Sequence, residues 1–254
     1  MLVTLKGFDV EQFQAEGFTG PVRVFSEAEA AELRRKFYAE IGQDEAHPGP
    51  TNKPMSAWHH RLRWFYNLAA NEQILDLIEA LQGPNLVMWA MHFWYKEPRS
   101  GKRIPWHQDG EFWPMTPVKN ISAWVAFGPA FRANGCLRII PGSHRRKYAH
   151  IDLKDPQSAF GKGIDPREID ESKAIDFELR PGEVVIFNES AIHGSEANTS
   201  GTARVAHSIR YTTPEVKFLM EQWSDAGRIR TYLMRGADTH HLNDAIRGAV
   251  PADA

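Results

Sequence analysis

Ile175-Asp176-Phe177-Glu178-Leu179-Arg180-Pro181-Gly182-Glu183-Val184-Val185-Ile186-Phe187 holds two short β-forming runs joined by a tight turn. Pro181 fixes φ and Gly182 accepts a positive φ, so the chain reverses at Arg180–Glu183. Runs of the same kind lie on either side: Leu86 to Tyr95, Ile121 to Phe127 and Leu137 to Ile140 before it, Arg204 to Tyr211 after it. Turn residues separate them, and no helical periodicity alternates with them. Many short strands in this order predict a closed or sandwiched antiparallel sheet, a jelly-roll barrel. The first third of the chain reads differently. Ser26 followed by Glu29 is a capping-box pattern, and Leu33, Phe37 and Ile41 recur at four-residue spacing. Asn71 is placed to cap a second helix through Leu81, stopped by Gly83 and Pro84. The expected architecture is mainly β, with a helical layer supplied by the N-terminal third. Between the helices, residues 43–58 carry three prolines and no periodicity, as a binding loop or lid does.

The chain has 254 residues with no repeat, low-complexity tract or linker, so one domain over 1–254 is expected. Lys plus Arg total 30 against 32 Asp plus Glu, a net charge of -2. That balance supplies no pull toward nucleic acid or an anionic membrane. Cys136 is the single cysteine, which excludes an internal disulfide and fits a reducing compartment. The opening residues lack the apolar run of a signal peptide, and no stretch has the length and apolarity of a membrane span. A cytoplasmic protein acting on a small molecule is the expectation.

Trp106-His107-Gln108-Asp109-Gly110 carries the chemistry. In an extended segment side chains alternate, so His107 and Asp109 point to one side. An imidazole nitrogen and a carboxylate oxygen then reach one ion. His193, in Ala191-Ile192-His193-Gly194-Ser195, is the candidate third ligand. Two histidines and one carboxylate leave open positions, the arrangement of non-haem iron(II) oxygenases. Arg204 adds a fourth element, because 2-oxoglutarate bound to such an iron needs a cation for its distal carboxylate. A guanidinium pairs bidentately and keeps its charge. Ser195 can add a hydroxyl donor. Trp113 is a candidate shield of the metal from water. Arg210 shares a face with Arg204 and Ser208, and Lys53, His59 and His60 border the N-terminal loop; these four are substrate candidates.

From about Phe13 to Tyr211 the chain resembles the phytanoyl-CoA dioxygenase-like group of iron(II)/2-oxoglutarate oxygenases. The likeness is carried by Trp106–Gly110, Trp113, Trp124, Asn134-Gly135-Cys136-Leu137, Pro141-Gly142-Ser143-His144, and His193-Gly194-Ser195 with Arg204. It implies a double-stranded β-helix of cupin-like form, an iron(II) triad of His107, Asp109 and His193, and 2-oxoglutarate held by Arg204 and Ser195. It implies O2 as oxidant, and His92 beside the cosubstrate's C1 carboxylate. The Asn134–Leu137 and Pro141–His144 motifs shape the fold near the site. Related halogenases replace the carboxylate ligand by a small residue, so the resemblance favours hydroxylation with Asp109 present, although desaturation or ring formation would use the same ligands. Two rivals remain at this stage: a zinc hydrolase on the same three ligands, and a jelly-roll binding module without turnover. Neither gives Arg204 and Ser195 a task.

Overall fold

The computed structural model describes residues 6–41, 43–49, 55–99, 102–222 and 229–243. Four α-helices lie in the first third: α1 (Val10–Glu16), α2 (Glu27–Ile41), α3 (Arg63–Ala69) and α4 (Glu72–Gln82). The two expected caps form. Ser26 and Glu29 exchange hydrogen bonds, Ser26 N–H to Glu29 Oε2 at 2.8 Å and Glu29 N–H to Ser26 Oγ at 3.2 Å. Asn71 Oδ1 accepts the Ile74 N–H at 3.1 Å. A short strand, β1 (Phe18–Arg23), interrupts this helical third. It was not expected there. It is an edge strand, where Pro21 is tolerated because its missing N–H need not join a ladder.

The remaining strands are β2 (Leu86–Lys96), β3 (Ile104–His107), β4 (Met115–Thr116), β5 (Ile121–Ala126), β6 (Leu137–Ile139), β7 (His150–Asp152) and β8 (Lys162–Ile164), followed by β9 (Ile175–Phe177), β10 (Glu183–Asn188), β11 (His193–Ser195), β12 (Arg204–Thr212), β13 (Lys217–Phe218) and β14 (Tyr232–Arg235). A six-stranded antiparallel sheet has the order β1-β10-β5-β12-β2-β14, and a four-stranded one the order β3-β11-β6-β9. The Arg180–Glu183 turn joins β9 of the small sheet to β10 of the large one, so the opening stretch passes between the two layers of a jelly roll.

β10 shows why its apolar run is unbroken. Val184 and Ile186 enter the core shared with Phe37, Phe65, Leu77 and Ile78 of the helical layer. Val185 and Phe187 face the other way, with Trp124, Leu137 and Phe177 between the sheets. A strand buried on both faces needs apolar residues at every position. None of the helices among the described residues is long and apolar enough to cross a membrane.

One polar side chain sits on the helix side of the large sheet. His207 is fully buried, with its ring 4.6 Å from that of Phe65, 5.0 Å from Phe93 and 5.9 Å from Phe127. Burial holds its pKa well below the ordinary 6.5. The fold therefore keeps His207 neutral, whereas the unfolded chain protonates it. Its contribution to stability is complete above pH 6.5 and is lost as pH falls below that value, at about 1.4 kcal/mol per pH unit. The urea midpoint should decline from pH 7 to pH 5. His207→Leu should make that decline shallower by its own share, the rest coming from His59, His92 and His193, which burial also holds low. An equally steep decline in the variant would remove His207 from the account.

Candidate metal centre

β3 and β11 bring the first two site residues together. They are antiparallel neighbours, and His193 lies directly opposite His107. Gly194 permits this closeness, since a Cβ there would sit 2.9 Å from the Ile104 carbonyl oxygen. His107 ends β3, Gln108 is extended (φ -109, ψ 122), and Asp109 opens a short 3-10 turn ending at Phe112. The alternation expected of an extended segment thus survives to Asp109, although the strand itself has stopped. His193 begins a strand of its own instead of trailing the one before it.

Both rings are oriented by backbone. Nδ1 of His107 lies 2.8 Å from the Pro105 carbonyl oxygen and Nδ1 of His193 lies 2.9 Å from that of Ala191. Each carbonyl accepts, so each Nδ1 carries the proton and each Nε2 presents a lone pair. His107 Nε2 is buried and makes no hydrogen bond. It stands 3.5 Å from Asp109 Oδ1, and His193 Nε2 stands 3.9 Å from Asp109 Oδ2. Ligand atoms of all three residues lie within 4.8 Å of one another. Two lone pairs and a carboxylate converging on one buried point are the donor set of a divalent metal, and the orphaned nitrogen has no other task in view.

Electrostatics bear on two of the three groups, Asp109 and His193. Burial alone would raise the pKa of Asp109, but the Arg210 guanidinium and the two imidazoles outweigh it and hold the carboxyl well below its usual range. Burial lowers that of His193 to about 4, with the charge of His107 adding to the shift. Near neutral pH Asp109 is therefore ionised and His193 neutral.

A narrow cleft opens between the sheets at this point. The triad shares it with Arg204, Ser195 and Ser208, and its walls include Trp94, Trp124, Leu137 and Phe187. Arg204 opens β12 opposite Lys96, and its guanidinium lies 5.5 Å from the Trp124 ring centroid. It is buried, its Nε has no hydrogen-bond partner, and burial lowers its pKa to about 10. No carboxylate among the described residues pairs with it. Lys96 supports the same end by donating to the Ser195 and Glu196 carbonyls.

Other expected site residues lie nearby or elsewhere. Arg210 reaches Asp109, Nη2 to Oδ2 at 3.8 Å, and rests 4.9 Å from the Trp113 ring centroid. Trp113 does not line the cleft. It packs with Trp89, Met115, Val216 and Phe218 and forms the platform under Arg210, an indole being a good partner for a guanidinium face. His92 does not line the cleft either; its ring lies against Trp94 at 4.4 Å, and burial lowers its pKa to about 3. The His59 and His60 rings meet at a tilt, 3.9 Å apart, with His60 stacked on Tyr232, and neither lines the cleft. Lys53 falls outside the described residues.

The sequence reading passed over two aromatic groups near His107. Phe112 and Phe160 approach its ring at 5.8 and 5.1 Å, and Phe160 also meets Trp94 at 6.1 Å. Phe112 was within reach of inspection, three residues after Asp109. Phe160 arrives from a distant loop and left no local signal.

A family model described as phytanoyl-CoA dioxygenase (PhyH) matches residues 13–206. The chain is 29% identical over 164 residues to the phytanoyl-CoA dioxygenase domain-containing protein 1 homolog of Dictyostelium discoideum, a stretch covering 63% of this chain and 58% of that protein. It thus spans little more than half the length of that relative. Among solved structures it is similar to the non-heme monooxygenase ThoJ in its apo form, with a TM-score of 0.79 and 26% identity over 96% of this chain and 89% of that one. CytC3 with Fe(II) and alpha-ketoglutarate has the same fold, with a TM-score of 0.70 and 21% identity over 96% and 94% of the two chains.

Proposed function

Because the chain belongs to the phytanoyl-CoA dioxygenase family, we propose that it is an iron(II)- and 2-oxoglutarate-dependent oxygenase that hydroxylates an unactivated C–H bond of a small organic substrate. The observation that carries this reading is one buried cleft holding both a His107–Asp109–His193 donor set and an unpaired Arg204. The likeness to a non-heme monooxygenase supports it. When bound, the iron would supply the two-electron oxidation, with 2-oxoglutarate converted to succinate and CO2, one atom of O2 entering succinate and the other the hydroxylated substrate.

The protein's own groups do the rest. His107, Asp109 and His193 would hold the metal through two imidazole nitrogens and a carboxylate oxygen. Arg204 neutralises the distal carboxylate of 2-oxoglutarate in a dry pocket, where a charge-assisted pair is strong, and Ser195 donates a hydroxyl to it. Trp94, Trp124, Leu137 and Phe187 keep water from the reacting centre, which protects the oxidant from side reactions. Asp109 keeps its ligand position filled, so chloride has no vacated place to enter. Arg210, a guanidinium beside Asp109, is the residue we assign to an anionic group of the substrate.

Succinate release tests the reading without knowledge of the substrate, through uncoupled turnover. Under 18O2 the protein with iron(II) should convert 2-oxoglutarate to succinate carrying one labelled oxygen, and zinc should support none, since it has no redox chemistry. Ester or amide hydrolysis with zinc, and no succinate with iron, would replace this reading by the hydrolase one.

A further inference from the structure

Gln108, the residue between two of the proposed metal ligands, is buried and does not line the cleft. Its carboxamide is engaged at both ends. Nε2 donates to the Arg146 carbonyl at 2.7 Å and to the Ser190 carbonyl at 2.6 Å, and Oε1 accepts the Tyr148 N–H at 2.9 Å. Its backbone N–H is accepted by His150 Nε2 at 3.0 Å. Three of these four bonds reach residues 146–150, and the fourth reaches Ser190, three residues before His193.

Ser143 makes the complementary tie. Its hydroxyl donates to the Ile140 carbonyl at 2.6 Å and accepts the Ile192 N–H at 2.8 Å, one residue from His193. Ile140 N–H in turn donates to the Ile192 carbonyl at 2.9 Å. Residues 140–150 therefore hold both ligand-bearing segments, the His107–Asp109 turn through Gln108 and the approach to His193 through Ser143.

We infer that Gln108 and Ser143 are positioning residues that set the spacing of the metal ligands by fastening both ligand segments to residues 140–150. The inference rests on the reading of His107, Asp109 and His193 as metal ligands. Packing alone would be met by an apolar side chain of the same length at 108. A carboxamide with both donors and its acceptor used fixes direction as well as volume, and such a buried network holds only one arrangement. Asp109 depends on this most, because it lies in a 3-10 turn and lacks the strand ladder that holds the two histidines.

The test is titration of the 254-residue chain with Co(II), read by its visible absorption, and anaerobically with iron(II). Gln108→Met and Ser143→Ala should weaken metal binding about 10-fold to 100-fold, the range found for groups that orient ligands, and should change the Co(II) spectrum. Both should still unfold cooperatively, and Ser143→Thr, which retains the hydroxyl, should bind within about threefold of wild type. Folded variants with wild-type affinity and an unaltered spectrum would overturn the inference. Should Gln108→Met fail to fold, Ser143→Ala decides alone on the same two criteria. A wild type that binds neither metal would overturn the metal reading, and this inference with it.

Discussion

Replacing His193 with alanine is expected to lower iron(II) affinity by more than about 100-fold, beyond the loss that follows from disturbing a group behind a ligand. The cleft explains why no substitute can step in. Among the described residues, its lining contains no histidine, cysteine, aspartate or glutamate besides His107, Asp109 and His193. Two donors would remain, one of them shared electrostatically with Arg210 at 3.8 Å. The strand should survive the change. His193 N–H and C=O belong to the β11 ladder with β3 and β6, and that ladder is backbone. What disappears is a ring 4.1 Å from His107 and 4.7 Å from Phe187, leaving a small space at the edge of an existing cleft. Metal-induced stabilisation separates lost binding from lost fold. At a metal concentration near 100 times the wild-type dissociation constant, wild type should gain about 2.7 kcal/mol and His193→Ala almost nothing. An equal gain in both proteins would exclude His193 as a ligand.

How much of this was legible in the sequence depended on the range of the signal. Caps at Ser26 and Asn71, the Arg180–Glu183 turn and the unbroken apolar run of β10 are local, and each appears where its residues put it. β1 and β14 are edge strands whose formation is decided by a partner, β10 for one and β2 for the other. Tyr232–Arg235 is held partly by Arg235 ion pairs to Glu72, Asp76 and Glu79, more than 150 residues earlier, which no window over the sequence contains. The site shows the same division. His107 and Asp109 were readable as a pair because alternation fixes their side. The direct opposition of His193 to His107 is a matter of register between strands, and only the fold supplies it. Trp113 illustrates the opposite case: an aromatic residue close to a ligand in sequence, yet turned into the cluster that supports Arg210. Gln108 was visible as the middle residue of the motif, but its partners at 146, 148 and 190 were not.

Arg204→Met should move two quantities in opposite directions. In wild type the guanidinium is buried without a carboxylate partner, and burial has already drawn its pKa down to about 10. An unpaired charge taken out of water is a cost to the empty protein, offset only in part by the face of Trp124. Methionine fills similar space with no charge to desolvate, so the metal-loaded variant without 2-oxoglutarate should melt no lower than wild type, and higher if the space is well filled. Binding of 2-oxoglutarate should move the other way. Removing one side of a buried charge-assisted pair costs about 2–5 kcal/mol, a loss of tens to thousands of fold in affinity. Arg204→Lys should not restore it fully, because an ammonium lacks the planar fork that meets both carboxylate oxygens. Metal affinity should be nearly unchanged, since Arg204 is not among the groups whose donor atoms converge with Asp109. Cosubstrate titration on the iron-loaded proteins and thermal melts without 2-oxoglutarate give both readouts. A lower melting temperature with weaker binding would mean that Arg204 serves the fold instead. A change in 2-oxoglutarate affinity below about threefold would pass its role to Arg210, the half-buried guanidinium beside Asp109.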